Sequence, residues 1–307
     1  MTTVRKFQAA IAYPSASFVN ALEVILTSEK DQWRYLDAKS ISAIGCSCSA
    51  ARTMLHTWLD AIMRDISQGK EVLPLPVQFP LPVQFSTKLV AVVQLLQSFT
   101  YTTAIHVPVV SEQHALPAHL MLKQYQDTRC QQVRRGRQVR VFLATCKAKG
   151  WGVYAAQRIK PHEFIGEYTG ELISTSEVQC RYRDRYDLKA LNYVMSLREH
   201  VARKANPALS FDIVRTNVDA SSCGNVTRFV NHSCSSNVTL EAVRVDSFVP
   251  RLALFTRVAV DAGQELTIDY GEGSRNVVQD VSGRPQRARR CQCGALECRG
   301  YLPCVLE

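Results

Sequence analysis

Five short stretches of this 307-residue chain combine residue types that do chemistry. The densest is Cys291-x-Cys293-Gly294-x3-Cys298, which runs on into Arg299-Gly300-Tyr301-Leu302. Two thiolates on a tight glycine-containing turn, with a third five residues on, fill three corners of a zinc tetrahedron. A fourth ligand must come from elsewhere. The loop Asn231-His232-Ser233-Cys234-Ser235-Ser236-Asn237 offers one, although a segment so rich in Asn and Ser also reads as a surface turn. The remaining three are Lys149-Gly150-Trp151-Gly152, Glu167-Tyr168-Thr169-Gly170-Glu171 and Glu265-Leu266-Thr267-Ile268-Asp269-Tyr270-Gly271. Each is weak alone, but all five in this order and spacing are not a chance pattern. Cys46 and Cys48 have no further cysteine at metal-site spacing and read as ordinary thiols.

The elements that position these stretches fall into two textures. From Val139 onward, β-rich runs alternate with Gly, Asn and Pro: Val139 to Leu143, Gly152 to Tyr154, Phe164 to Tyr168, Leu252 to Thr256 and Glu265 to Ile268. A helix is expected around Ser176 to Tyr186, capped by Ser174 or Ser176. Before that lies a helical texture. Met54, Leu55, Leu59, Ile62, Met63 and Ile66 recur at helical spacing within Ser49 to Ile66, and Lys88 to Phe99 reads as a second helix. Between them the hexapeptide PLPVQF occurs twice, at Pro74–Phe79 and Pro80–Phe85, which reads as a proline-stiffened linker. The division expected is 1–118, a partly helical region of unknown role; 130–272, a mainly β module; and 287–303, a zinc motif. The fold class is α+β, mainly β.

Composition bounds the function. No apolar run approaches the 18 residues that would span a bilayer, so no membrane partner is expected. The start of the chain lacks a secretory h-region, which favours a reducing compartment and metal-bound or free thiols over disulfides. The net charge of +10 is uneven, because residues 1–118 hold 9 basic and 8 acidic side chains. The excess sits later, notably at Arg134-Arg135-Gly136-Arg137 with Arg140, and from Arg284 to Arg290. Such stretches are either a solvated face or a contact for nucleic-acid phosphates.

Residues from about 130 to 303 resemble a SET domain with its post-SET tail, the fold of protein lysine methyltransferases. The segments Asn192-Tyr193 through Arg198-Glu199-His200, and Val245 through Phe255, are most similar to the Suppressor-of-variegation branch, including its SET–mariner transposase fusions. The resemblance implies small β-sheets in which the Asn231-His232-Ser233-Cys234 and Glu265–Tyr270 segments form a pseudoknot, a rare exception to unthreaded topology. It implies S-adenosylmethionine bound by Gly150, Trp151, Gly152, Tyr193, Arg228, Asn231 and His232, and structural zinc on Cys234, Cys291, Cys293 and Cys298. It also implies a lysine channel lined by Tyr168, Ile268 and Tyr270, with Tyr270 and Tyr168 as catalytic residues. The expected partner is the histone H3 tail or nucleosome, in the nucleus and on the chromosome, with lysine 9 favoured over lysine 36. Glu163, Glu167, Glu171, Glu177, Asp184 and Asp187 are candidates for an acidic rim receiving that basic tail.

The chain departs from the pattern in three places. Relatives of this branch carry a cysteine-dense pre-SET cluster, and here only Cys130 stands near that place. Ser236 replaces a proline, which loosens the turn. Ile268 stands where Phe or Tyr commonly limits methylation, so di- or trimethylation is expected. The alternatives are a silent SET module that binds chromatin or partner proteins, and a methyltransferase acting on a non-histone protein.

Overall fold

The computed structural model describes residues 26, 36–106, 128–146, 149–186, 193–202, 211–245, 247, 249–271 and 290–302. Its helices gather near the N-terminus. Helix α1 (Ala38–Ser47) is capped by Asp37, whose side chain accepts from Ser40 N, and α2 (Ser49–Arg64) by the Cys48 sulfur. Ala51, Leu55, Trp58, Leu59 and Ile62 form the buried stripe of α2, the apolar spacing of a helix with one face on a core. The Asp65 carboxylate then organises the turn that follows, accepting from Ser67, Gly69 and Leu75. Burial opposes its ionisation, but these donors prevail and hold its pKa below the usual range. Helix α3 (Phe85–Gln97) buries Leu89, Val92, Val93, Leu95 and Leu96. None of the described helices is long and apolar enough to cross a membrane.

The repeated hexapeptide corrects the linker reading. Its first copy is strand β1 (Val77–Gln78), paired in parallel with β3 (Val141–Cys146) at the edge of the main sheet. Leu75 and Val77 are buried, while Leu81, the match of Leu75 in the second copy, is 63% exposed. The prolines survive because an edge strand needs few donors. Pro76 accepts from Leu143 N, and Leu75 itself donates to Asp65 and accepts from Ile66 N. Strand β2 (Thr100–Tyr101) likewise joins the β module, pairing with β9 (Cys223–Gly224).

The main sheet continues through β4 (Gly150–Ala155), β13 (Glu265–Ile268), β11 (Val238–Val243), β12 (Arg251–Thr256) and β5 (Phe164–Glu167). The short β10 (Asn231–His232) also pairs with β13, so the two segments expected to interlace do lie side by side. A second sheet holds β6 (Glu171–Ile173), β8 (Phe211–Asp219) and β7 (Val194–Ala202), the last two forming a long hairpin. Helix α4 (Thr128–Arg135) covers a satellite core of Cys130, Val133, Phe164, Val243, Val245, Ala253 and Phe255. Helix α5 (Thr175–Arg181), capped by Ser174, runs into a π-type turn at Tyr182–Tyr186. One continuous apolar core joins the N-terminal helices to the β module.

Two surface expectations change. Arg137 is buried, donating to the carbonyls of Leu73 and Val139, and so is no part of a phosphate-binding face. Arg134, Arg135 and Arg140 are exposed, and of the second basic stretch only Arg290 lies within the described residues. In the acidic rim, Glu171 and Glu177 are both paired with Arg181, which also binds the buried Asp219. Asp184 pairs with Arg183, and Asp187 lies outside the described residues. Glu171 and Glu177 are thus neutralised within the chain by Arg181, while the Asp184 pair is exposed.

Candidate active site and metal centre

Parallel pairing of β10 with β13 sets Asn231 opposite Thr267 and His232 opposite Ile268. Asn237 fastens the end of the loop, donating to Glu265 O and accepting from Thr267 N, both at 2.8 Å. The loop is thus tied to β13 by its backbone and by an amide side chain. At Ser236 the hydroxyl accepts from Arg257 at 3.2 Å.

Around Asn231 the expected cofactor residues converge. Its amide donates to Trp151 O at 3.0 Å and to Glu265 at 2.8 Å, and the same carboxylate pairs with Lys149. Gly152 makes this possible, because a Cβ there would stand 2.8 Å from Glu265 Oε1 and 3.1 Å from Asn231 Nδ2. Gly150 has φ +77°, a conformation glycine adopts without strain, and open space where its side chain would be. Such a backbone-lined edge suits close approach by a ligand. His232 is buried, and its Nδ1 accepts from Tyr270 N at 3.2 Å. Burial lowers its pKa, with Asp269 opposing, so the ring is neutral at pH 7 and carries its proton on Nε2, 3.4 Å from Cys234 Sγ.

Arg228 and Tyr193 are also brought together, though with each other. The guanidinium lies 4.3 Å from the Tyr193 ring and 4.3 Å from that of Phe99, and its Nε donates to Ala220 O. Burial pulls the Arg228 pKa down while Tyr193 and Tyr168 oppose the shift.

Both tyrosines expected to line the channel are anchored by their hydroxyls. Tyr168 donates to Tyr193 O at 2.7 Å and Tyr270 to Val230 O at 2.9 Å. Tyr168 is buried and Tyr270 is 39% exposed. Burial, with Tyr270 and Arg228 as the next influences in opposite senses, drives the Tyr168 pKa well up, so it stays a phenol. Ile268 is buried on β13 and brings no polar atom of its own. Glu167 differs from its neighbours: burial raises its carboxyl to about 7, with Arg251 opposing. The neutral Tyr168 phenol and His232 imidazole, with the Tyr270 hydroxyl, can orient and hydrogen-bond a reacting group.

Cys234, Cys291, Cys293 and Cys298 place their sulfurs within 4.8 Å of one another. Cys234 and Cys291 are 3.8 Å apart, which is the edge of a tetrahedron with metal–sulfur bonds of about 2.3 Å. The residues therefore fit zinc. The tail reaches the loop through more than sulfur, since Arg299 N donates to Cys234 Sγ and the Arg299 guanidinium to Asp269.

Sequence reasoning gave no role to Glu265, Lys149, Asp269, Arg299 or Phe99. The first four lie inside or beside the motifs, where an acid or base flanking each motif was a signal. Phe99 had none, because its contact with Arg228 joins residues far apart in the chain.

The model of the SET domain family matches residues 150–271. Histone-lysine N-methyltransferase SUV39H2 of Xenopus tropicalis is 37% identical over 170 residues, covering 52% of this chain and 38% of that protein. Histone-lysine N-methyltransferase SETMAR of Mus musculus is 38% identical over 160 residues, covering 50% and 49%. The chain therefore spans about half or less of the length of these relatives. Among solved structures, the methyltransferase domain of human SETMAR matches with TM-score 0.56 and 25% identity, over 78% of this chain and 97% of that one. That span is more than residues 128–307 supply, so the structural likeness reaches into the N-terminal layer. Arabidopsis thaliana SUVH6 in complex with SAM shares the fold at TM-score 0.54 and 22% identity, over 78% of this chain and 55% of that one. Residues 150–271 match the SET domain family, and this part of the chain is similar to the SUV39H2 and SETMAR methyltransferases.

Proposed function

We propose that this chain is a histone-lysine N-methyltransferase, transferring a methyl group from S-adenosylmethionine to a lysine of the histone H3 tail, lysine 9 before lysine 36. The observation that carries the reading is the pair of phenols, Tyr168 and Tyr270, anchored on Tyr193 O and Val230 O around a loop tied to β13. When bound, S-adenosylmethionine supplies an electrophilic methyl group. Gly150, Trp151, Gly152, Asn231 and His232 form the edge that would hold it, with Tyr193 and Arg228 beside them. The substrate amine has to arrive neutral although free lysine has a pKa near ~10.4. A desolvated channel disfavours the ammonium form. Within it the two phenols orient the amine, with Tyr270 as the catalytic residue and Tyr168, which burial keeps protonated, as its partner on the channel wall. In-line transfer demands alignment more than acid–base chemistry, which fits a site without a strong base.

Zinc on the four sulfurs holds the tail against the loop and takes no part in bond making. Nuclear and chromosomal placement follow from a nucleosomal substrate, and the exposed Arg134, Arg135 and Arg140 are the candidate contacts for DNA phosphates. Ile268 offers no hydroxyl to hold a crowding water, so the product is di- or trimethyl-lysine. Mass spectrometry that finds only monomethyl product at long reaction times refutes that point.

The test is transfer of labelled methyl to a panel of recombinant histones. Tyr270→Phe is expected to lose at least about 100-fold in rate, as when one preorganised donor is removed from a transition state. Cofactor binding without transfer to any histone would leave a silent chromatin-binding module. Transfer confined to other proteins would change the substrate and keep the chemistry.

A further inference from the structure

The more deeply buried phenol, Tyr168, is held from outside the SET motifs by residues 99–106. Phe99 packs edge-on against Phe229, with centroids 5.4 Å apart, and its ring lies 4.3 Å from the Arg228 guanidinium. The same guanidinium lies 4.3 Å from the Tyr193 ring, and Tyr193 O accepts the Tyr168 hydroxyl at 2.7 Å. The backbone beyond Tyr168 is seated on the same segment. Thr169 Oγ1 donates to Thr102 O, and His106 N to Gly170 O. The segment in turn is fixed by Thr100 N and Thr102 N, which donate to Ser222 O and Gly224 O.

What distinguishes Phe99 from ordinary core is the charge it faces. Arg228 is 6% exposed and, among the described residues, forms no ion pair with a carboxylate. Its charge is met by ring faces, by the carbonyls of Ala220 and Ser221 and by the Tyr193 side chain, with the Asp219 carboxylate acting through space. A buried cation in that position needs the negative face of an aromatic ring, which an aliphatic side chain of similar bulk does not offer.

We propose that Phe99 is a positioning residue for methyl transfer, setting the orientation of the Tyr168 phenol through Arg228 and Tyr193. The proposal rests on the methyltransferase reading of the same site. It makes the N-terminal segment part of the working enzyme, although it touches no reacting atom.

The experiment compares Phe99→Leu, Phe99→Tyr and a control, Val92→Ala, which removes buried bulk from α3 at a residue that makes no ring contact with Arg228 or Tyr193. Full-length protein is used, with a lysine peptide and S-adenosylmethionine varied separately and folding followed by thermal melting. Phe99→Leu is expected to lower kcat about tenfold, since small misplacements at a reacting centre have outsized cost. The KM for S-adenosylmethionine should rise by less than kcat falls, since Tyr193 and Arg228 stand beside the cofactor edge while the Tyr168 phenol acts on the substrate amine. Phe99→Tyr restores kcat, and Val92→Ala keeps it despite a lower melting temperature.

A second readout needs no turnover. In protein labelled with 3-fluorotyrosine, the Tyr168 signal, identified by its loss in Tyr168→Phe, shifts in Phe99→Leu and stays in Val92→Ala. Wild-type kcat in Phe99→Leu, or equal losses in Phe99→Leu and Val92→Ala, overturns the proposal. If the wild-type protein transfers no methyl at all, the functional reading fails, and an unmoved fluorine signal then overturns the relay as well.

Discussion

Two distant parts of the chain grip one short stretch, Arg228–Cys234, by different physics. The N-terminal layer reaches its first residues through ring faces, with Phe99 against Arg228 and Phe229. The C-terminal tail reaches its last residue through sulfur, with Cys291, Cys293 and Cys298 around Cys234. One grip is apolar and spread over a continuous core; the other is a single point that needs a metal and four deprotonated thiols. The contrast bears on the absence of a cysteine-dense cluster ahead of the SET domain. Among the described residues, the part of the chain ahead of the SET match is joined to the β module by burial, through helices and the strands β1 and β2. Stability and order of the site are therefore separable, and perturbations should fall into one class or the other.

The sharpest test uses the duplicated hexapeptide, because sequence is held constant while burial is not. Leu75→Ala should cost about 2–5 kcal/mol, the range for a large-to-small change in a core. Leu81→Ala, at a 63% exposed site, should stay within about 0.5 kcal/mol. Equal losses in denaturant titrations would mean that the N-terminal layer is not a core. Next comes the tail. A thiol-competing zinc chelator, or Cys298→Ser, should lower methyl transfer by about 100-fold while the main unfolding transition stays nearly in place. A collapse of that transition along with activity would erase the distinction between the two grips.

The two regions also differ in how far they could be read in advance. The tail and loop were legible because metal ligation demands particular residues at particular spacing, and Cys234 with the three tail cysteines indeed meets in space. The strands at Phe164–Glu167 and Glu265–Ile268 were legible from their apolar runs. The long hairpin of β7 and β8 was not, because among its described side chains only the end of β8 is fully buried, and three of the four buried there, Thr216, Asn217 and Asp219, are polar. Nor was β1, since two prolines in six residues argue for a linker until an edge position removes the objection. The role of Glu265 was hidden by its neighbours, as an acid at the start of a strand reads as solvated. In the fold it receives both Lys149 and Asn231. Glu265→Gln keeps the shape and loses the charge, and should raise the KM for S-adenosylmethionine about tenfold, the worth of one charged hydrogen bond. An unchanged KM would take the glycine edge out of the cofactor site.

The smallest expected effect separates the two grips by pH. Glu167 precedes Tyr168, its carbonyl accepts from Asn225 and Thr227, and burial raises its carboxyl from 4.5 to about 7. A raised folded-state pKa means that the native protein holds a proton the unfolded chain has given up between about pH 4.5 and 7. Stability from this group is therefore greatest at the acidic end of that window, falls as pH rises through it, and is level above about 7. The thiolate centre has the opposite sense, because protons compete with zinc for its ligands and acid loosens it. Comparing Glu167→Gln with the wild type isolates the first slope. The variant, which cannot ionise, should gain on the wild type by of order 1 kcal/mol between pH 5 and 8. Metal retention measured over the same range should be the same in both proteins. If the stability difference is flat with pH, the Glu167 carboxyl is solvated and the channel edge is more open than its burial implies. If metal retention shifts with the substitution, the two grips are coupled through the loop they share, and Arg228–Cys234 responds as one unit.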